Sequence, residues 1–313
     1  MLAALRTVRG WHGPLAWFGL AMAGLALVSL VGYFVDDRVL VGMPIWAKVL
    51  KFSMSFGLYA VTLGWMLTQV QRPLWRRIGW WAGTGFVVVS LLEMMAITLQ
   101  TVRGVQSHFN NGTPFDSQVF TAMGVLVGVI YSFTLVIAVA LLVSPMRDRA
   151  FSWALRLGIV IAIAGLSVGF LMLQATPEQL ALGDAATISG AHAVGVSDGG
   201  PALPVVGWST TGGDLRIAHF IGMHALQAIP LLAVGLAMFA AGRLTERTRL
   251  QIVLLGSLAY AGVFLLTLWQ ARRGQPLLAP DTATLAAVGA LLAVTAVGAA
   301  LIARAAARPE VTA

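Results

Sequence analysis

Long, uninterrupted apolar runs alternate along this chain with short charged segments. Eight runs stand out: Pro14–Val35, Ile45–Val70, Ile78–Val102, Ser117–Val143, Ser152–Ala175, Ile217–Ala241, Leu250–Gln270 and Thr282–Ile302. A hydrocarbon core about 30 Å thick needs about 20 residues of helix at about 1.5 Å each. Lipid offers the backbone no hydrogen-bond partners, so runs of this length cross it as helices. The pattern predicts an all-α, polytopic membrane bundle of about eight spans.

Polar positions inside those spans are not scattered. The second span carries Lys48, Lys51, Ser55, Tyr59 and Thr62. Steps of three and four put them on one helical face. The third carries Ser90, Glu93 and Gln100, followed by Arg103, and the sixth carries Arg216, His219, His224 and Gln227. Counting from the outer helix ends, Lys51 and His224 lie about 10 Å deep and Glu93 about 14 Å deep. A carboxyl at that depth needs a partner or a proton, and intramembrane ionisable groups point to function. Glu93 and His224 are the acid–base candidates. Lys48, Lys51, Tyr59, Gln100, Arg103, Arg216 and Gln227 are the candidates for ligand contacts.

Charge sets the sides. Thirteen basic residues fall on one side: Arg6, Arg9, Arg72, Arg76, Arg77, Arg147, Arg149, Arg156, Arg243, Arg247, Arg249, Arg304 and Arg308. Seven fall on the other, along with most of the acids. The positive-inside rule predicts a bacterial inner-membrane protein with both termini cytoplasmic. The run after Arg6 and Arg9 is too long for a signal-peptide core and lacks a small-residue cleavage site, which predicts an uncleaved first span. Composition agrees, with 58% hydrophobic and 10% charged residues. The net charge of +8 comes from clusters flanking spans, so the expected partner is the lipid bilayer, not nucleic acid. The absence of cysteine removes disulfides, thiolate metal sites and thiol nucleophiles.

Four of the five histidines, His108, His192, His219 and His224, fall on the outer side. They are candidate metal ligands, and haem or a divalent metal is the cofactor class they suggest. His219 and His224 are five apart and point about 140° from each other, so they do not form the i, i+4 pair of a zinc helix. A glycine-rich connection, 176–216, is long for a loop and predicts a functional outer element.

The halves resemble each other. Lys48-x-x-Lys51-Phe52 matches Arg216-x-x-His219-Phe220, Gln100–Gly104 matches Gln270–Gly274, and Asp116-Ser117 matches Asp281-Thr282, at offsets of 168, 170 and 165. This predicts two four-helix repeats, 1–150 and 151–313, the second with the long outer loop. Asp116, Asp214 and Asp281 read as caps of the helices that follow. Gly124–Gly128 and Gly165–Gly169 read as helix-packing pairs.

Eight spans in a four-plus-four arrangement, with histidines toward the outer face, resemble haem A synthase in architecture. That resemblance implies a haem-binding bundle. The family's Glu-x-x-His signature is absent, since Glu93 is followed by Met94, Met95 and Ala96, and the fourth and eighth spans carry no histidine. Three functions remain open: an outward-facing pocket for haem, a metal ion or a lipid-soluble substrate; a proton-coupled transporter; and a non-catalytic assembly or sensor protein.

Overall fold

The computed structural model describes residues 11–240 and 242–307. Arg6, Arg9 and Arg308, used above to set the sides, lie outside the described residues, as does Ala241. Nine α-helices occur among the described residues. They are α1 (Gly13–Val35), α2 (Ala47–Leu67), α3 (Pro73–Arg103), α4 (Pro114–Leu142), α5 (Arg149–Leu171), the short α6 (Pro177–Leu182), α7 (Leu215–Ala240), α8 (Glu246–Arg272) and α9 (Thr282–Ala306). All but α6 are long and apolar enough to cross a membrane. The protein is a multi-pass, all-α integral membrane protein. Two tiny antiparallel hairpins complete it, β1 (Val39–Leu40) with β2 (Met43–Pro44), and β3 (Ala193–Val194) with β4 (Gly213–Asp214).

Several helices outrun their apolar stretches. α3 begins at Pro73 rather than at Ile78, because hydropathy marks only what lipid covers. The helix backbone continues until a cap or proline stops it.

The chain forms two compact units. One comprises the chain up to Ser144 with Met172–Ala191 and Ser197–Gly207. The other comprises Pro145–Leu171, His192–Val196 and Trp208 onward, so the long connection contributes to both. In the first, α1 packs on α2, α2 on α3 and α3 on α4, with α1 also touching α3. In the second, α5 packs on α7, α7 on α8 and α8 on α9, with α5 touching α8.

Close backbone approach holds the first two helices of each unit. A Cβ on Gly57 of α2 would sit 3.3 Å from Met22 Cβ of α1, and a Cβ on Gly158 of α5 would sit 2.9 Å from the Ala225 carbonyl of α7. Gly165 is tighter still, because a Cβ there would overlap the Gly222 backbone. Gly124 and Gly128 differ from expectation: a Cβ at either meets nothing within 4 Å. Small-xxx-small spacing also arises on a helix face that no other helix covers, and sequence does not distinguish the two.

His12 caps α1. Its Nδ1 accepts from Leu15 N at 3.2 Å and its Nε2 donates to Trp80 O at 2.7 Å, which requires the neutral ring. Burial holds the imidazole below its ordinary value, against the Trp80 carbonyl, which favours the charged form. A lowered folded value means the contribution is present above about pH 6.5 and is lost as pH falls below it. Thermal unfolding in detergent should therefore shift downward from about pH 7.5 to about pH 5.5, and the shift should shrink in His12→Asn, which can cap without titrating.

The loops after α3 and α8 use the same parts in exchanged positions. Asp116 is not the cap of α4. Thr113 is, accepting from Asp116 N at 3.1 Å, while the buried Asp116 in the first turn accepts from Gln100 and Arg103 at 2.9 and 2.6 Å. The helix starts earlier than its apolar run, which moves Asp116 inside it. In α9 the cap is Asp281, accepting from Thr284 N at 2.8 Å, and Arg273 contacts both Asp281 and Thr284. Asp116→Thr should destabilise the first unit by about 2–3 kcal/mol, because it strips Arg103 and Gln100 of their acceptor. The double change Thr113→Asp/Asp116→Thr should recover more than half of that loss in thermal unfolding.

Candidate functional site

In the first unit, α2 and α3 hold the candidates. The α3 helix ends at Gly104 in the left-handed conformation, φ 78°. The chain then turns into a short loop pinned by Ser189 N donating to Phe109 O at 2.8 Å and Asn111 N donating to Thr187 O at 2.7 Å. That loop carries His108 back toward the helices. Lys48 Nζ lies 3.0 Å from His108 Nδ1. An ammonium only donates, so Nδ1 is the acceptor and Nε2 carries the proton. Nε2 faces Glu93 Oε1 at 3.9 Å, beyond hydrogen-bond reach.

Glu93 is fully buried, and neither carboxyl oxygen has a hydrogen-bond partner. Two buried hydroxyls share this condition, Ser90 on α3 and Tyr59 on α2. Ser90 is one turn from Glu93 on the same face of α3. Tyr59 stacks on Phe86 with centroids 5.7 Å apart, and its hydroxyl faces Thr134 of α4. Buried polar groups are almost always paired, so unpartnered Glu93 and Ser90 on one face of α3, with the Tyr59 hydroxyl of α2 turned to Thr134, single out this region.

Lys51, one turn from Lys48, is used differently. Its Nζ donates to Val206 O at 3.0 Å. Val206 belongs to the segment Ser197–Gly207, which also lies on the β1–β2 hairpin, where a Cβ on Gly42 would come 2.9 Å from Gly199 O. Gln100 and Arg103 serve Asp116, as described, and Arg103 lies over the Phe115 ring at 4.6 Å. Both are committed to the α3–α4 connection.

In the second unit, His219 Nδ1 donates to the Gly165 carbonyl at 2.8 Å. Its ring lies 3.5 Å from where a Cβ on Gly169 would be, so glycine makes room for it. His192 and His224 lie near it. His224 Nδ1 lies 3.2 Å from Gln227 Oε1. The Phe220 ring contacts both His219 and His224, at 6.0 and 6.2 Å between centroids. Arg216 pairs with Asp214, which also accepts from Ser209 N at 2.9 Å and holds the start of α7. Among the described residues, no three His, Asp or Glu side chains gather as a metal site.

No family model, curated protein or solved structure matches this chain. Function therefore has to be read from these side chains. One part of the first-unit arrangement escapes sequence reading: the phenylalanines of α2 look like core, and their place beside Ser90 and Glu93 is not apparent. Their signal is spacing: Phe52, Phe56 and Tyr59 on α2, and Phe86, Ser90 and Glu93 on α3, each recur at three or four residues.

Proposed function

We propose that this integral membrane protein binds a lipid-soluble molecule by its polar headgroup in the first unit, at Glu93, His108 and Lys48. The observation that carries the reading is the Glu93 carboxyl, wholly buried, with neither oxygen hydrogen-bonded and Oε1 3.9 Å from His108 Nε2. Leaving such a group unpaired costs roughly 1–3 kcal/mol or more, and a bound headgroup would remove that cost. Lys48 holds the His108 proton on the nitrogen that faces Glu93, so the two groups form an acid–base pair on either side of the headgroup. Infrared difference spectroscopy tests this. A headgroup taken up from detergent should perturb a carboxyl band that is missing in Glu93→Gln; uptake without any carboxyl change would refute the reading.

Local geometry favours a duplication of the four-helix unit. Thr113 and Asp281, the caps of α4 and α9, are 168 residues apart, as are Asp116 and Thr284 and as are Lys48 and Arg216. The close pair Met22–Gly57 corresponds to Gly158–Ala225 at intervals of 136 and 168, the difference being the longer connection before α7. By that correspondence Lys51 answers to His219 and Phe56 to His224, so the copies differ where chemistry is concentrated. The arginine asymmetry favours cytoplasmic termini in a bacterial inner membrane.

A second reading rests on His219. A ring whose Nδ1 is tied to a backbone carbonyl presents Nε2 as a lone-pair nitrogen, the orientation common to histidine metal ligands. One such ligand can hold a haem iron. An optical spectrum with metal analysis of the purified protein decides: a haem or metal signal lost in His219→Ala supports it, and a colourless, metal-free protein removes it.

A further inference from the structure

Beside the unpartnered polar groups of the first unit runs an unbroken series of ring contacts. His108 meets Phe52 at 5.7 Å between centroids, Phe52 meets Phe56 at 6.3 Å, Phe56 meets Phe86 at 6.3 Å, and Phe86 meets Tyr59 at 5.7 Å. The two helices thus present facing stripes, Phe52–Phe56–Tyr59 on α2 and Phe86–Ser90–Glu93 on α3. Phe86 is fully buried, whereas Phe52 and Phe56 are only half-buried and keep apolar ring surface to be covered.

We propose that the headgroup bound there is a planar aromatic ring bearing two opposed hydroxyls, a quinol. This rests on the first-unit site proposed above and names its ligand class. Ring faces stack on aromatic side chains at separations of about 4.5–7 Å, which a saturated headgroup cannot exploit. The polar positions are spaced for two hydroxyls rather than one. Glu93 and Ser90 are three residues apart, about 4.5 Å of rise, which with the longer Glu93 side chain reaches the distance between oxygens para to each other on a six-membered ring. Glu93 and His108 take the first hydroxyl, with the carboxylate accepting its proton in a hydrogen bond. Ser90 and Tyr59 take the second, and each hydroxyl can donate or accept. Binding alone is assigned; no electron moves in this step.

The test is equilibrium binding to the full-length protein in detergent of two decyl-chain probes, a benzoquinol kept reduced under anaerobic conditions and a ring-free glycerol ether. Variants are Glu93→Gln, Ser90→Ala and Tyr59→Phe. The last two each remove one unpartnered hydroxyl, so melting temperature should hold or rise, which separates a binding role from a structural one. The expected result is saturable quinol binding, weakened about tenfold or more by each variant, with the glycerol ether binding far less tightly. Glycerol ether binding as tight as quinol binding, and equally dependent on Glu93, would overturn the ring assignment and leave the site standing. Failure of both probes to bind, or binding indifferent to Glu93, would overturn both.

Discussion

Glu93→Met should raise the thermal stability of the purified protein by about 1–3 kcal/mol and abolish headgroup binding. The side chains are of similar length, and the substitution exchanges an unpartnered buried carboxyl for an apolar group where no protein donor loses an acceptor. A carboxyl kept for structural reasons would behave oppositely, since its loss would leave His108 and Lys48 short of a counter-charge and lower the midpoint. Gain of stability with loss of binding is the signature of a site held at the expense of the fold. Glu93→Gln separates the charge from the shape: binding should weaken at least tenfold, with a melting temperature near that of the parent. Unfolding and equilibrium binding on the same preparations check both.

Gly165→Val should be the most damaging single change in the second unit. The first atom of any side chain there would overlap the Gly222 backbone, and neither α5 nor α7 can step aside without opening the packing that also seats His219 against the Gly165 carbonyl. Overpacking costs about 1–3 kcal/mol when side chains can adjust, and here the obstacle is backbone, so about 3 kcal/mol or more is expected. Size-exclusion profiles and melting in detergent report it. Gly128→Val provides the contrast, because that position meets no protein and the substitution should leave both measurements unchanged.

Much of the fold was legible because spans are set by a length and a solvent, and eight apolar runs satisfy both. Their ends were not, because caps rather than hydropathy stop a helix. Thr113 is the instructive case. Matching Asp116 to Asp281 gives an offset of 165, while the caps themselves stand 168 apart, since acid and hydroxyl have changed places on the first turn. That Glu93 lies well inside the third span was readable by counting residues, but that its oxygens lack hydrogen-bond partners was not. Nor was its neighbour, because His108 arrives on a loop whose path depends on a left-handed Gly104 and on pairing with residues near 188. Four histidines on one side of a topology diagram say nothing about which ring nitrogen is engaged. Only the Gly165 carbonyl decides that for His219.

The Lys51 contact ties the segment Ser197–Gly207 to the helix that carries Lys48. Lys48 and Lys51 stand one turn apart on α2, one touching His108 and the other grasping the Val206 carbonyl. If the proposed site is occupied, its occupancy and the attachment of Ser197–Gly207 would be two equilibria drawing on one helix turn. Linkage makes their influence mutual. On the proposed binding reading, a molecule that draws Lys48 and His108 around Glu93 would alter how readily the segment detaches, and an agent that clamps the segment would alter affinity at Glu93 by the same factor. An exposed loop of this kind would be a handle, through which the proposed binding could be read and biased from the aqueous phase.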